Sequence, residues 1–259
     1  MSQVGLTLRQ VRFTNKAFWR NPASAFFTFA FPLMFLVIFT ALFGSGTVDV
    51  GHGISIDQST YYVASMAAFS VITACYTNLA INVSFQRDQG ILKRTRGTPL
   101  PGGSYLTARV LHAMLIAFIL VIICAGFGKV AYGADIPGGT QLLDTVVVLL
   151  VGSTSFAALA FALTAVIPNA DASPAIVNAT ILPLLFVSGV FFPIGPHTPA
   201  WVKTLGDVFP VKHFIDAFLG SFYGPPAFHL AWHDVLIVAA WGLAGLALAS
   251  RFFSWEPRT

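Results

Sequence analysis

The chain has 259 residues, of which 56% are hydrophobic and 9% charged, and its mean hydropathy is +0.77. A soluble domain carries about 25% charged residues, so a soluble body this apolar would expose too much hydrophobic surface to stay dispersed, and disorder is excluded because disordered segments are polar and poor in aromatics. The net charge of +4 does not imply nucleic acid: the cations lie between apolar runs, where orientation in a bilayer accounts for them, and those runs have the length of helices rather than barrel strands.

The class expected is an all-α membrane protein. Residues 3–20 read as an amphipathic helix lying in the plane of the membrane interface, with an ordinary positive-inside flank as the alternative. Arg9, Arg12, Lys16 and Arg20 share one face, and Val4, Leu8, Val11 and Phe18 lie on another. Asn21-Pro22 breaks it and turns the chain. Six apolar segments follow, at 23–44, 61–85, 105–128, 142–167, 174–192 and 232–250, each near the ~20 residues that span a bilayer. The first reads as a span that stays in the membrane, not as a cleavable signal peptide.

In the first segment Phe27, Phe31, Phe35, Phe39 and Phe43 recur every four residues, a stripe that winds slowly round a helix. It fits packing or lipid-facing aromatics, or an apolar slide for a lipophilic substrate. The second carries a polar strip, Thr73, Thr77, Asn78 and Asn82. The fourth holds Gly152-Ser153-Thr154-Ser155, and the fifth Asn178, Thr180 and Ser188. Such groups glue helices together or line a pathway. Gly245 and Ala249 in the sixth form a small-xxx-small pair, suited to packing within the chain or to a dimer seam. Cys75 and Cys124 lie in apolar runs and read as small hydrophobes.

Two connections stand out. Residues 86–103, QRDQGILKRTRGTPLPGG, form the longest and most charged loop on one side, either a solvated, orientation-setting loop or a docking element for a cytosolic partner. On the other side, Val211, Phe214, Ile215, Phe218, Leu219 and Phe222 mark one helix face, opposite Lys212, His213 and Asp216. A shorter version, Trp201 to Phe209, precedes Pro210. With Pro193, Pro196, Pro199, Pro225 and Pro226 around them, these are two short helices on the outer interface or a re-entrant hairpin.

Charge sets the orientation. Eleven cations (Arg9, Arg12, Lys16, Arg20, Arg87, Lys93, Arg94, Arg96, Arg109, Arg251 and Arg258) fall on one side, against Lys129, Lys203 and Lys212 on the other. The bias puts both termini in the cytoplasm of a multi-pass protein, as an even number of spans requires. No Asp, Glu or Lys is central in a span. Asp144 and Lys129 lie near ends, where they would snorkel, and His112 would make an interhelical hydrogen bond. The scarcity of intramembrane ionisable groups argues against a proton-driven transporter.

No engine is visible in the chain. Gly126-Phe127-Gly128-Lys129 fails as a phosphate loop, because Ile123 stands where its first glycine is needed and Val130 follows the lysine. His229 and His233 share a helical face but lack the Glu of a zinc-protease motif, and there is no G-x-S-x-G elbow.

Two stretches carry a family resemblance. Arg87-Asp88-Gln89-Gly90-Ile91-Leu92-Lys93-Arg94 followed by Gly97-Thr98-Pro99-Leu100 is similar to R-E-x-G-T-L-E-R and A-T-P-L. Residues 182–194, LPLLFVSGVFFPI, then Pro199-Ala200-Trp201 and 209–217, FPVKHFIDA, are similar to the segment ending P-x-W-L and N-P-L-T-Y-x-x-D. The chain resembles the permease subunit of a type-2 ABC exporter, the group of daunorubicin-type drug, O-antigen and nodulation-factor exporters. Asp88 stands where the family usually has Glu, and Lys93-Arg94-Thr95-Arg96 is more basic than its usual pattern.

The resemblance implies one transmembrane domain over 1–259, with a connecting helix at 1–22, a coupling helix at 86–100 docked on a separate ATP-binding subunit, and external helices at 199–222. Coupling would fall to Arg87, Asp88, Gly90, Leu92, Lys93, Arg94, Thr98 and Pro99. Phe31, Phe35, Phe39, Thr73, Asn78, Asn82, Asn178 and Ser188 become pathway candidates, and Phe191, Phe192, Pro193, Trp201, Pro210 and Phe214 an external gate. The chain itself would be no enzyme and bind no cofactor or metal; ATP and Mg would sit on the partner. Two ATPases and a second, identical or homologous, permease would complete the unit in a bacterial cytoplasmic membrane, moving a lipophilic or lipid-linked substrate outward. An ion-coupled secondary transporter and a membrane-embedded enzyme are the rival readings.

Overall fold

A computed structural model describes residues 3–49, 55–195, 198–223 and 230–256. Pro196, Pro225, Pro226, His229 and Arg258, used in the sequence reading, lie outside the described residues. The helices are α1 (Gln3–Trp19), α2 (Pro22–Phe43), α3 (Gln58–Ile72), α4 (Leu79–Asp88), α5 (Ile91–Arg96), α6 (Gly102–Tyr132), α7 (Thr140–Thr164), α8 (Ser173–Val187), α9 (Ala200–Val208), α10 (Pro210–Tyr223) and α11 (Trp232–Phe252). Strands β1 (Thr47–Asp49) and β2 (Ser55–Asp57) pair antiparallel, the only strands among the described residues.

Among the described residues, five helices are long and apolar enough to cross a membrane: Pro22–Phe43, Gln58–Asp88, Gly102–Tyr132, Thr140–Thr164 and Trp232–Phe252. The segment expected at 174–192 is helical only over Ser173–Val187. It stops because Gly189, directly after the C-cap Ser188, takes φ +87°, a conformation open to glycine at little cost. The segment expected at 61–85 is longer, Gln58–Asp88, and contains a π-helical stretch over Thr73–Asn78 between α3 and α4. Such stretches re-aim the side chains that follow them.

Local signals explain the ends. Pro22 opens α2, and the Asn21 side chain accepts from the Ser24 amide. At the end of α6, Gly133 is left-handed and donates to Lys129 O, the closure of an αL cap, and Ala134 donates to Gly128 O.

Helices α7 and α11 share the most extensive contact, and small residues allow it. A Cβ on Gly242 would lie 2.8 Å from Ser155 Cα, and one on Gly245 2.9 Å from Leu159 N. The small-residue face of α11 is therefore spent on packing within the chain. Asp144 corrects an expectation: it is 2% exposed, enclosed beside the α7 start rather than reaching out to solvent.

Helix α10 is inserted among the other helices, while α9 is largely exposed. Val211, Phe214, Ile215, Phe218 and Phe222 are buried, and α10 packs on α3, α7 and α11. Phe214 sits where a Gly152 Cβ would be, 2.2 Å from its ring, and meets Phe156 edge-on. The α9–α10 turn lies beside Trp241, whose Nε1 donates to Val208 O at 3.2 Å. Trp241 is nine residues into α11, about 14 Å from the start of that helix. From there α10 climbs until the Tyr223 hydroxyl donates to Thr60 O at 2.6 Å.

Candidate functional site

The first part of the site is the joint between α4 and α5. The Arg87 side chain is 1% exposed and turns away from α5. Its Nη1 donates to Thr164 O at 2.7 Å and its Nη2 to Ile167 O at 2.6 Å. These are carbonyls at the end of α7 that no intrahelical amide can reach. Asp88 accepts from the Ala170 amide and lies 3.7 Å from Arg87 Nε. Arg87 and Asp88 thus tie the end of α4 to the α7–α8 connection.

Gly90, at φ +68°, reverses the chain into α5. Within α5 Leu92 is fully buried and anchors the helix, while Ile91 is 36% exposed and Lys93, Arg94, Arg96, Thr98 and Pro99 face outward. The sequence-predicted set therefore divides. Arg87, Asp88 and Leu92 hold the segment from inside; Lys93, Arg94, Thr98 and Pro99 form its exposed basic edge. Lys93 lies 4.0 Å from Glu256, and a Cβ on Gly102 would meet Trp255 at 2.9 Å, so the C-terminal segment shares this end of the bundle.

The second part is an aromatic cluster at the other end of α2. Phe31, Phe35, Phe39 and Phe43 form a ladder of ring contacts, with Phe31–Phe35 at 4.7 Å. Phe39 stacks on Phe191 at 5.5 Å and meets Phe192 at 6.2 Å. Phe69 and Phe186 also touch Phe191. The pathway stripe and two residues of the expected external gate are thus one structure. Phe27 is outside it and pairs with Phe26. Ser188 is buried and donates to Leu185 O, and Pro193 follows this cluster. Phe214 and Pro210 are buried in the α10 packing, and Trp201 is 63% exposed, so these three do not join the cluster.

The sequence reading missed what braces it. The Tyr61 hydroxyl donates to Gly189 O, and Tyr76 in the π stretch shares a 2.9 Å hydrogen bond with Thr180. Tyr61 and Tyr76 sit in apolar runs, where nothing in the sequence distinguishes a bracing hydroxyl from an ordinary aromatic.

The third part is a cleft of about 190 Å³ between α1, α2, α6 and the π stretch with α4, lined among others by Asn78, Asn82, Gln86, Arg109 and His112. Two of the predicted pathway residues, Asn78 and Asn82, meet here, and the Asn82 amide donates to Asn78 O at 2.7 Å. Thr73 and Asn178 are half-buried and line no part of it. His112 departs from expectation: its Nε2 is buried with no hydrogen-bond partner among the described residues, and its ring meets Phe18 edge-on at 5.6 Å. One arrangement thus combines an exposed basic elbow, a polar cleft and an aromatic cluster along a single bundle, with no grouping of nucleophile and base among the three.

The ABC-2 type transporter model matches residues 7–223. The chain is 30% identical over 196 residues to nodulation protein J of Rhizobium leguminosarum bv. trifolii, covering 74% of this chain and 73% of that protein. It is 24% identical over 228 residues to the daunorubicin resistance ABC transporter permease protein DrrB1 of Streptomyces coeruleorubidus, covering 87% and 77%.

Proposed function

The chain belongs to the ABC-2 type transporter family, and on that premise we propose that it is the permease subunit of an ATP-driven exporter whose force comes from a separate ATP-binding subunit. The carrying observation is the α4–α5 joint. A short helix with exposed Lys93, Arg94 and Arg96 stands on a glycine reversal, and its base is fastened through Arg87 to the end of α7. A surface that moves with a partner must be exposed where it is gripped and stiff where it joins the spans; this segment has both properties.

In this reading Pro22–Phe43, Gln58–Asp88, Gly102–Tyr132, Thr140–Thr164, Ser173–Val187 and Trp232–Phe252 are six spans. Both termini and α5 face the cytoplasm of a bacterial membrane, in line with the positive-inside bias. The α9–α10 hairpin is re-entrant from the outer side, with its α10 limb enclosed by α3, α7 and α11. Two ATP-binding subunits grip two permeases. ATP-driven closure, transmitted by α5, shifts the helices between inward-open and outward-open states, and cargo leaves by its differential affinity for the two. The aromatic cluster around Phe191 suits a lipophilic or lipid-linked cargo, as does the likeness to a daunorubicin resistance permease.

The test is reconstitution with the ATP-binding subunit. The double charge reversal Lys93→Glu/Arg94→Glu is expected to abolish transport-linked ATP hydrolysis while helicity and melting temperature stay unchanged, since both side chains are exposed. Undiminished nucleotide-dependent transport by the reversed variant, or transport with no nucleotide, overturns the reading.

A further inference from the structure

The cleft beside α1 holds a cation with no counter-charge. Arg109 is half-buried. Its guanidinium donates to the Tyr105 hydroxyl at 3.0 Å and to Gln86 Oε1, and it lies over the Tyr105 ring at 5.2 Å. All of these are neutral. Among the described residues no carboxylate forms an ion pair with Arg109, and no lining residue of the cleft is acidic. A partly desolvated cation held only by neutral groups is costly unless an anion completes it.

Two further features favour an anion, and a polar wall completes the cleft. Asn21 and Ser24, at the N-terminus of α2, line the cleft, so the positive end of a 22-residue helix adds to the field of Arg109. His112 Nε2, buried without a partner, becomes a donor once an anion fixes its tautomer. The Asn78 and Asn82 amides line the inner wall.

The surroundings of the cleft are apolar. Phe18, Leu79 and Ile116 stand in its lining beside the polar groups. A free inorganic ion has no use for such flanks, whereas an amphipathic molecule does.

We propose that this cleft binds the anionic headgroup of an amphipathic molecule, a phosphate or carboxylate on an apolar chain, with Arg109 as its counter-charge and Phe18, Leu79 and Ile116 against the start of its tail. The site deepens the permease reading by naming the ligand class on its inner side, yet binding itself requires no ATPase.

The experiment titrates the purified permease in neutral detergent with short-chain phosphatidylglycerol, phosphatidylcholine and inorganic phosphate, read by native mass spectrometry and tryptophan fluorescence. Phosphatidylglycerol is expected to be retained and the other two not. Arg109→Gln should weaken retention about tenfold or more, and Arg109→Lys should keep part of it. Thr28→Leu fills the cleft with Arg109 still in place and should also weaken it; Arg9→Gln, a cation outside the cleft, should not. Equal retention of phosphatidylcholine, displacement by phosphate alone, or an unchanged Arg109→Gln variant overturns the proposal. Resident lipid and cargo are separated by ATP-driven export from vesicles of phosphatidylcholine with and without phosphatidylglycerol. An Arg109→Gln defect in both vesicles assigns the site to cargo, and one confined to phosphatidylglycerol vesicles assigns it to resident lipid. Lost headgroup binding with intact ATPase coupling would fail the cleft alone, while the Lys93→Glu/Arg94→Glu result concerns the coupling reading alone.

Discussion

Arg87 donates to the carbonyl of Ile167, 2.6 Å away and eighty residues later in the chain, so the end of α4 serves as the C-terminal cap of α7. The side chain is almost fully enclosed, and hydrogen bonds from a charged group to buried carbonyls contribute about 1.5–3 kcal/mol each. Arg87→Leu is therefore expected to lower unfolding free energy by about 3 kcal/mol or more, with Arg87→Lys intermediate. Thermal unfolding in detergent, followed by circular dichroism, measures this. A near-wild-type Arg87→Leu would mean that the cap contributes nothing.

Gly90 makes a different demand, on the backbone rather than on space. A Cβ there would meet nothing within 4 Å, but φ is +68°, which costs a residue with a Cβ about 1–2 kcal/mol. Gly90→Ala is expected to destabilise by about 1 kcal/mol, and Gly90→Asn by less, because Asn tolerates the left-handed region. Gly126→Ala, also in open space but without positive φ and inside α6, is the control and should leave stability unchanged or raise it by up to about 1 kcal/mol.

The helices were legible because their apolar runs are long and Pro and Gly punctuate them; the Asn21-Pro22 start of α2 is an example. The polar strip of Asn78 and Asn82 was also legible, as was the Phe stripe, but their destinations were not. Nothing in the composition of 73–78 requires a π stretch, which shifts the face on which Asn82 emerges. In QRDQG the arginine reads as one of a run of solvated charges. Its partners, the carbonyls of Thr164 and Ile167, lie far along the chain, and carbonyls leave no mark in a sequence. Gly152 was read as part of a polar patch, although its role is to admit the Phe214 ring. Periodicity placed Phe214 on the buried face of α10 but said nothing of depth.

The α7–α11 seam sets the next expectation. A Cβ on Gly242 would lie 2.3 Å from Ser155 Oγ and 2.8 Å from Ser155 Cα, so Gly242→Ala must push the helices apart. Overpacking of this kind costs about 1–3 kcal/mol. Ser155→Gly on the opposite face should restore part of the loss in the double variant, as positions in direct contact are non-additive. Thermal melts of the four proteins in the cycle give the coupling directly; simple additivity would contradict the close approach.

Phe191 joins the aromatic ladder of α2 to the turn after α8. It is 5% exposed, stacks on Phe39 and touches Phe35, Phe69 and Phe186, while Tyr61 pins the neighbouring Gly189. Truncating a buried Phe to Ala costs about 3–5 kcal/mol, so Phe191→Ala is expected to lower the melting temperature markedly. Phe191→Leu keeps most of the volume and should be tolerated thermally. If the cluster closes the outer end of the path, that milder variant should raise basal, uncoupled ATP hydrolysis in the reconstituted complex while leaving assembly intact, because a loosened closure no longer waits for cargo. Tyr61→Phe, which releases the Gly189 carbonyl without changing ring volume, should have the same kinetic effect at a stability loss of only about 0.6 kcal/mol. Unchanged basal hydrolysis in both variants would assign the cluster to packing alone.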